Sequence, residues 1–242
     1  MFGWRGRIGL ILPSNNTVME QEFSRAVPEG VSVHTARLGP AKDTSFETLI
    51  KMSDHAQRAA EELLSCDVDI IIYGCTSGSF LEGPKFEEDL TQRIHEVSNT
   101  HCFTTSKAVV EALSALKGKK LAMATPYRDE TNSREKQFLE DYGFEVINMQ
   151  GLGILNPTDI GRLPPHKAYR MAKEVNSKEA DTIFISCTDF RTFEIIRPLE
   201  RDLRKPVTSS NQASLWMALD LLNIDMKNMD DRLGSLFSIV KQ

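Results

Sequence analysis

The fold is decided by a short stretch that occurs twice in this chain. Residues 70–77 read Ile-Ile-Ile-Tyr-Gly-Cys75-Thr76-Ser77, and residues 183–189 read Ile-Phe-Ile-Ser-Cys187-Thr188-Asp189. Each copy is an apolar run, typical of a buried strand, that ends at a Cys-Thr pair and leads into a segment of helical pattern. Upstream, the apolar run that ends at Pro13 matches the run that ends at Pro126 at nearly the same offset. A repeat of this length indicates a duplicated α/β unit.

Apolar runs of strand length alternate with segments of helical period along the whole chain. Strands are predicted near 7–12, 31–38, 68–74, 101–105, 119–125, 144–150, 181–186 and 206–209. Helices are predicted near 17–27, 44–65, 85–98, 107–117, 130–142, 166–178, 191–204 and 211–223. This alternation predicts parallel sheets that are covered on both faces.

We therefore expect an α/β protein with two similar Rossmann-like domains, each built on a four-stranded parallel sheet. The duplication predicts a pseudo-two-fold relation, with the active site in the cleft between the domains. The predicted boundaries assign 1–107 plus 211–242 to the first domain and 108–210 to the second.

Composition places the chain among ordinary globular proteins, with 40% hydrophobic and 26% charged residues in 242. The net charge of −5 and the lack of a basic stripe argue against a nucleic-acid partner. No apolar stretch reaches the roughly 20 residues of a membrane helix. The chain starts directly with a predicted strand, so we expect no signal peptide, a cytoplasmic location, no membrane partner and reduced cysteines.

The repeated Cys-Thr pairs suggest a chemistry for the cleft. A cysteine at a strand end, just before a helix, lies near free backbone N–H groups that favour the thiolate and can lower its pKa from about 8.5. The same N–H groups, with Thr and Ser hydroxyls, can hold a carboxylate. One thiolate can then remove a proton from a bound substrate or add to its double bond, while the opposite thiol delivers a proton.

Other interpretations of these residues are available. A cysteine in an apolar strand is commonly a small buried hydrophobe, which fits Cys66 and Cys102 better than the matched pair, Cys75 and Cys187. No metal site is predicted, because Cys-x-x-Cys and His-x-x-x-His pairs are missing from the sequence. Arg191 could clamp a second carboxylate or form a surface salt bridge, and the sequence leaves both open.

Five stretches together carry a family resemblance: Pro13-Ser-Asn-Asn16-Thr-Val-Met-Glu20, Gly74-Cys75-Thr76-Ser77, Thr125-Pro126-Tyr127, Leu155-Asn156 and Cys187-Thr188. On these motifs the chain resembles the aspartate/glutamate racemase superfamily, and within it the branch of maleate cis-trans isomerases and arylmalonate decarboxylases. The resemblance implies two Rossmann-like domains, no cofactor, no metal, a small carboxylate substrate between paired cysteines, and a homo-oligomer, dimeric or larger.

The resemblance also implies residue roles. Cys75 would attack a double-bond carbon to give a succinyl-like thioether, and Cys187 would act as acid and base. Asn16, Tyr127 and Asn156 would hold carboxylates. The remaining expected substrate contacts are Thr76, Ser77, Thr188 and Arg191.

Two departures within the family bear on the reaction. Arylmalonate decarboxylases carry glycine where Cys75 stands, so the presence of both thiols favours isomerase or racemase chemistry. The pattern Thr76-Ser-Gly-Ser79 with Phe190-Arg-Thr192 looks closer to that of racemase-like members associated with ectoine utilisation, which would act on an amino-acid derivative. An acidic Asp189 beside the site would disfavour a second anion unless Arg191 offsets it.

We therefore expect a cofactor-independent two-cysteine isomerase or racemase of a small carboxylate. One alternative is an arylmalonate-type decarboxylase that uses Cys187. Another is a non-catalytic small-molecule binding protein on the same fold, because fold alone does not fix function.

Overall fold

Two four-stranded parallel sheets of the same topology organise the molecule. The structure is a computed structural model that describes residues 2–40, 43, 45–227 and 229–239. The first sheet contains β1 (Gly6–Leu12), β2 (Val31–Arg37), β3 (Ile70–Tyr73) and β4 (His101–Thr104), in the order β2-β1-β3-β4. The second contains β5 (Lys120–Thr125), β6 (Glu145–Gly151), β7 (Thr182–Ile185) and β8 (Val207–Ser209), in the order β6-β5-β7-β8. The predicted pair of Rossmann-like units is confirmed, and β3 and β7 occupy equivalent places.

Helices cover both sheets. The first half contains α1 (Met19–Ala26), α2 (Phe46–Ser53), α3 (Ala56–Leu64), α4 (Thr76–Phe80), α5 (Pro84–Ser98) and α6 (Thr105–Ala115). The second half contains α7 (Asp129–Asp141), α8 (Pro157–Gly161), α9 (Pro165–Val175), α10 (Ile196–Leu203) and α11 (Ser210–Leu221), followed by short 3₁₀ turns at Asp231–Leu233 and Ser235–Ser238. Strands β3 and β7 are buried throughout, as strands inside a doubly covered sheet must be. Within the described residues, none of the helices combines the length and apolar character that a bilayer crossing requires.

The prediction of one continuous helix over 44–65 is wrong, because the segment forms two helices, α2 and α3. The chain turns at Asp54 and His55, and the predicted start at Thr44 lies outside the described residues. The hydroxyl of Ser53 donates to the carbonyl of Ile50 at 2.7 Å and helps to close the first segment. The break leaves α2 free to reach the cleft between the domains, while α3 packs against β1 and β2.

The helix predicted near 191–204 begins only at Ile196. Pro198 explains the late start, because proline is tolerated in the first turn of a helix and disrupts its interior. The preceding loop uses its backbone donors elsewhere: the N–H groups of Thr192 and Phe193 bind the carboxylate of Glu22 on α1. Cys75 therefore caps a helix directly, whereas Cys187 is followed by a loop.

The predicted domain boundaries remain a proposal, and two contacts in the structure are relevant to them. Helices α6 and α11 lie against each other and touch strands of both sheets, where the hydroxyl of Ser214 donates to that of Thr105 at 3.3 Å. In the tail, the N–H of Ser235 donates to the carboxylate of Glu200 on α10 at 2.9 Å. This contact favours counting 231–239 with the second half; residues 240–242 lie outside the described part.

Candidate active site

A small buried cavity lies between the two halves, beyond the carboxyl ends of β1, β3, β5 and β7. Its volume is about 50 Å³, and both Cys75 and Cys187 contribute to its wall. The lining residues are Pro13, Asn15, Asn16, Asp43, Leu49, Met52, Cys75, Thr76, Ser77, Tyr127, Pro157, Ile160, Cys187, Thr188 and Asp189. The fold thus brings together seven of the nine residues predicted from sequence to form the site.

Cys75 sits at the N-terminus of α4 as the repeat predicts. Its Sγ accepts the N–H of Gly78 at 3.3 Å and lies 3.9 Å from the hydroxyl of Ser77. Burial nevertheless raises the pKa of the Cys75 thiol to about 11, outweighing these two hydrogen bonds. The expected lowering of the pKa is therefore wrong, because desolvation outweighs the stabilisation that the N-terminus of a five-residue helix supplies.

Cys187 has an unusual backbone conformation. Its φ of +97° lies in the left-handed region, which is strained for a residue with a side chain. The loop is held there because the N–H of Cys187 donates to Ser210 Oγ at 3.0 Å, and its Sγ accepts the N–H of Asp189 at 3.4 Å. Burial, and then the charge of Asp189, raise the pKa of the Cys187 thiol, against an opposing hydrogen bond from Tyr127. With raised pKa values, both thiols are neutral at pH 7.

A hydrogen bond across the cleft joins Asn16 to Thr188. The Asn16 amide donates to Thr188 Oγ1 at 3.0 Å, and the Thr188 hydroxyl donates to the carbonyl of Gly74 at 3.2 Å. The other end of the Asn16 side chain accepts the N–H groups of Val18 and Met19 at the start of α1. Asn16 thus fixes the geometry of both cysteine-bearing loops.

Ser210 is a site residue that the motif analysis did not select. Its Oγ accepts both the Thr76 hydroxyl and the N–H of Cys187, each at 3.0 Å, so it ties the two strand ends together. The signal was present in the repeat, because Val207-Thr-Ser-Ser210 matches Phe103-Thr-Thr-Ser106. Ser106 has a corresponding place in the first half, where its hydroxyl donates to the carbonyl of Thr76 at 3.1 Å.

Asp189 lies buried at one end of the cavity, 7% exposed. Its Oδ1 accepts the N–H of Thr17 at 2.7 Å and the Thr17 hydroxyl at 3.3 Å, and the nearby N–H groups of Val18 and Gly161 act to lower its pKa. A Cβ at Gly161 would lie 2.3 Å from Thr17 Oγ1 and 2.9 Å from Asp189 Oδ2, so a larger residue here would force these side chains or α8 to shift. Burial raises the pKa of Asp189 to about 6, which leaves it ionised at neutral pH.

Two predicted substrate contacts do not line the cavity. Arg191 points to the surface, 45% exposed, and its Nε donates to Glu194 at 2.7 Å, which matches the salt-bridge interpretation. Asn156 is exposed and caps α8, where its Oδ1 accepts the N–H of Thr158 at 3.3 Å. Their roles in substrate binding stay predictions.

Glu22 is a buried carboxyl that sequence reasoning did not single out. It lies on α1 and accepts the N–H groups of Thr192 at 2.6 Å and Phe193 at 2.9 Å, together with the Asn211 amide at 2.7 Å. Burial raises its pKa to about 7, against these hydrogen bonds. Because Asn211 also donates to the carbonyl of Thr188 at 3.0 Å, Glu22 supports the loop that follows Cys187.

A second buried carboxyl, Glu135, lies behind Cys187. It accepts the hydroxyl of Ser186, and its Oε2 has no hydrogen-bond partner among the described residues. Burial raises the pKa of Glu135 to about 8, so it is largely protonated at neutral pH. Elsewhere in the described ranges, no group of three or more His, Cys, Asp or Glu side chains is arranged to hold a metal ion.

Comparison with known proteins gives the family. The model of the arylmalonate decarboxylase family matches residues 8–237, and the chain belongs to that family. A maleate isomerase from Geobacillus stearothermophilus is 26% identical over 246 residues, covering 96% of this chain and 97% of that protein. The arylmalonate decarboxylase of Bordetella bronchiseptica is 28% identical over 218 residues, covering 88% of this chain and 89% of that protein.

The solved structures agree on the fold. The maleate isomerase Iso from Pseudomonas putida S16 superposes with a TM-score of 0.91 at 25% identity, over 98% of this chain and 99% of that one. The predicted superfamily branch and the two-unit α/β fold are confirmed. The relatives also bear out the expectation of an enzyme of isomerase type, and leave its substrate open.

Proposed function

We propose that the chain is a two-cysteine isomerase of a small carboxylate, either a racemase or a cis-trans isomerase, that needs no cofactor. One observation carries the proposal: Cys75 and Cys187 line the same buried cavity from equivalent strand ends of the two halves. The maleate isomerase relatives support this type of reaction. Cysteines that serve only to fill the core would not be expected to lie together at the carboxyl ends of the strands of both sheets, where ligands bind in such folds.

Polar groups around Cys75 suit a carboxylate. Thr76 and Ser77 begin α4, so their N–H groups are free of helical partners. The Ser77 hydroxyl and the Tyr127 hydroxyl border the same cavity. A carboxylate held here places its neighbouring carbon between the two sulfurs, where acid and base act on opposite faces.

Two reactions follow from that placement. In a racemase, one thiolate removes the proton from the carbon next to the carboxylate, and the opposite thiol returns a proton to the other face. In a cis-trans isomerase, the Cys75 thiolate adds to one carbon of the double bond and Cys187 protonates the neighbouring carbon. Rotation about the resulting single bond and reversal of both steps then release the trans product.

The test is turnover without a cofactor, followed by proton NMR in D₂O. The panel contains maleate, aspartate, glutamate, N-acetyl-diaminobutyrate, hydantoins and phenylmalonate. Cys75→Ser and Cys187→Ser should each lower turnover of the active substrate by about 10²–10⁴-fold. Cys66→Ser is the matched control, because Cys66 is exposed and lies outside the cavity. Full turnover in both site variants would reject the proposal.

A decarboxylase is the second candidate, favoured by the family and by the Bordetella relative. It would need Cys187 and tolerate Cys75→Gly, and it would release carbon dioxide from phenylmalonate. A non-catalytic binding protein predicts slow alkylation of both cysteines. Because burial also keeps both thiols neutral, slow alkylation would not distinguish a binding protein from an enzyme, and turnover is the deciding measurement.

A further inference from the structure

The cavity wall is acidic. Among the lining residues that the structure describes, Asp43 and Asp189 are the charged side chains, and none is Lys, Arg or His. Asp43 accepts the N–H of Ser45 at 2.9 Å and lies at the cavity edge. A substrate with two negative charges would bring its second carboxylate close to the buried Asp189.

Asp189 fills a place that is built to hold a carboxylate. The N–H and the hydroxyl of Thr17 donate to it at 2.7 and 3.3 Å, and the nearby N–H groups of Val18 and Gly161 lower its pKa and so favour the ionised form. Such clusters of N–H donors bind anions in general, and here the anion is part of the chain. The polar groups near Cys75 can therefore bind one carboxylate of a substrate. The donors around Asp189 cannot bind a second one, because the Asp189 carboxylate already occupies them.

Arg191 does not compensate the charge of Asp189. Its guanidinium is paired with Glu194 on the surface and does not line the cavity. The loop conformation separates the two residues, although they are only two positions apart. Among the described residues Asp189 thus forms no ion pair, and its hydrogen bonds come from the N–H and hydroxyl of Thr17.

On the basis of the proposed function, we infer that Asp189 determines the substrate class. Its carboxylate takes the place of a second substrate carboxylate, so the enzyme binds a monocarboxylate that carries a positively charged nitrogen, such as an amino acid or a basic derivative of one. The ammonium group faces Asp189 and the carboxylate faces the start of α4. Dicarboxylates without a cationic group are rejected by charge.

The state of the two thiols is consistent with this arrangement. The charge of Asp189 contributes to the raised pKa of both Cys75 and Cys187. A cation placed beside Asp189 favours the ionised form of a nearby thiol, whereas a second anion opposes it. A zwitterionic substrate would thus help to form the thiolate that it needs.

The test compares three probes of matched chain length: succinate, β-alanine and butanoate. All three have a carboxylate followed by two methylene groups. The other end is a carboxylate in succinate, an ammonium group in β-alanine and a methyl group in butanoate. Dissociation constants come from the protection of Cys75 against iodoacetamide, followed by peptide mass spectrometry, so no turnover is needed. The proteins are the wild type, Asp189→Ala, Asp189→Asn and, as a control of equal charge change, the exposed Asp141→Asn.

The wild type should bind β-alanine at least about tenfold more tightly than succinate, with butanoate between them. Asp189→Ala removes the negative charge and frees the N–H and hydroxyl of Thr17, so the affinity for succinate should rise about 10- to 100-fold relative to that for β-alanine. Asp189→Asn removes the charge and keeps the shape of the side chain, so its affinity for succinate relative to β-alanine should rise less than in Asp189→Ala. The asparagine variant replaces the alanine variant in the test if the latter does not fold. Asp141→Asn should keep the wild-type ratio.

Three results would overturn the inference. They are a wild type that holds succinate as tightly as β-alanine, Asp189 variants that keep the wild-type ratio, and lack of protection by every probe in every protein. Failure of the proposed function is a separate result. It would appear as undiminished turnover in the cysteine variants, whatever the probe ratio.

Discussion

The carboxylate of Glu22 on α1 accepts the side-chain amide of Asn211 on α11 at 2.7 Å, and this hydrogen bond joins the two halves of the molecule behind the cleft. Asn211 also donates to the carbonyl of Thr188, so the pair fixes the loop that follows Cys187. The strained φ of Cys187 persists because such contacts hold the loop from several sides.

The first prediction concerns the pH dependence of stability through Glu22. Its pKa rises from an ordinary 4.5 to about 7 in the folded protein. Between these values the folded state binds more protons than the unfolded state, so stability falls as the pH rises through this window. From pH 4.5 to 7.5 the wild type should lose about 2–3 kcal/mol of unfolding free energy that Glu22→Gln does not lose.

Denaturant unfolding at several pH values measures this difference. The exposed Glu29→Gln is the control and should follow the wild type. Asp189 and Glu135 also have raised pKa values, but they are present in both proteins and cancel in the difference. Parallel stability curves for wild type and Glu22→Gln would contradict the prediction.

The second prediction concerns the reactivity of Cys75. Because burial raises the pKa of this thiol to about 11, its alkylation rate in the empty protein should rise about tenfold per pH unit between pH 8 and 10. Iodoacetamide labelling and quantification of the Cys75 peptide measure the rate. A plateau below pH 8 would show that the resting site already holds a thiolate.

Much of the fold could be predicted because its signals are local and repeated. The apolar runs of β3 and β7 each end at a Cys-Thr pair. The pattern alone therefore predicts that these two strands occupy equivalent positions in two similar sheets. The split after Ser53 and the late start of α10 depend on long-range contacts. The late start of α10 did have one local signal in the sequence, Pro198, because a proline limits where a helix can begin.

The site was predicted less completely than the fold. Motifs brought Cys75 and Cys187 to one cavity, but the raised pKa values depend on burial, which a strand pattern does not quantify. The supporting contacts of Glu22 and Ser210 join residues more than 100 positions apart, beyond the reach of any local pattern. Arg191 and Asn156 were predicted from motifs, and neither is among the residues that line the cavity.

The third prediction concerns Tyr127, whose hydrogen bond to Cys187 opposes the rise in the pKa of that thiol. Tyr127→Phe removes the hydrogen bond and keeps the ring, so alkylation of Cys187 at fixed pH should slow by about tenfold, with little change at Cys75. Turnover should fall by about 10- to 100-fold. Tyr142→Phe, outside the cavity, is the control, and equal rates at Cys187 in all three proteins would contradict this role.

The last prediction concerns Gly161, where α8 closes on the carboxylate of Asp189. Gly161→Ala places a methyl group 2.3 Å from Thr17 Oγ1 and 2.9 Å from Asp189 Oδ2, so α8 or these two side chains must shift. Thermal or denaturant unfolding should show a loss of about 1–3 kcal/mol. Thr17→Ala relieves the shortest contact, so the double variant should be more stable than the sum of the two single effects predicts. Simple additivity would mean that α8 accommodates the methyl group without pressing on Thr17, and that the closure over Asp189 does not depend on glycine.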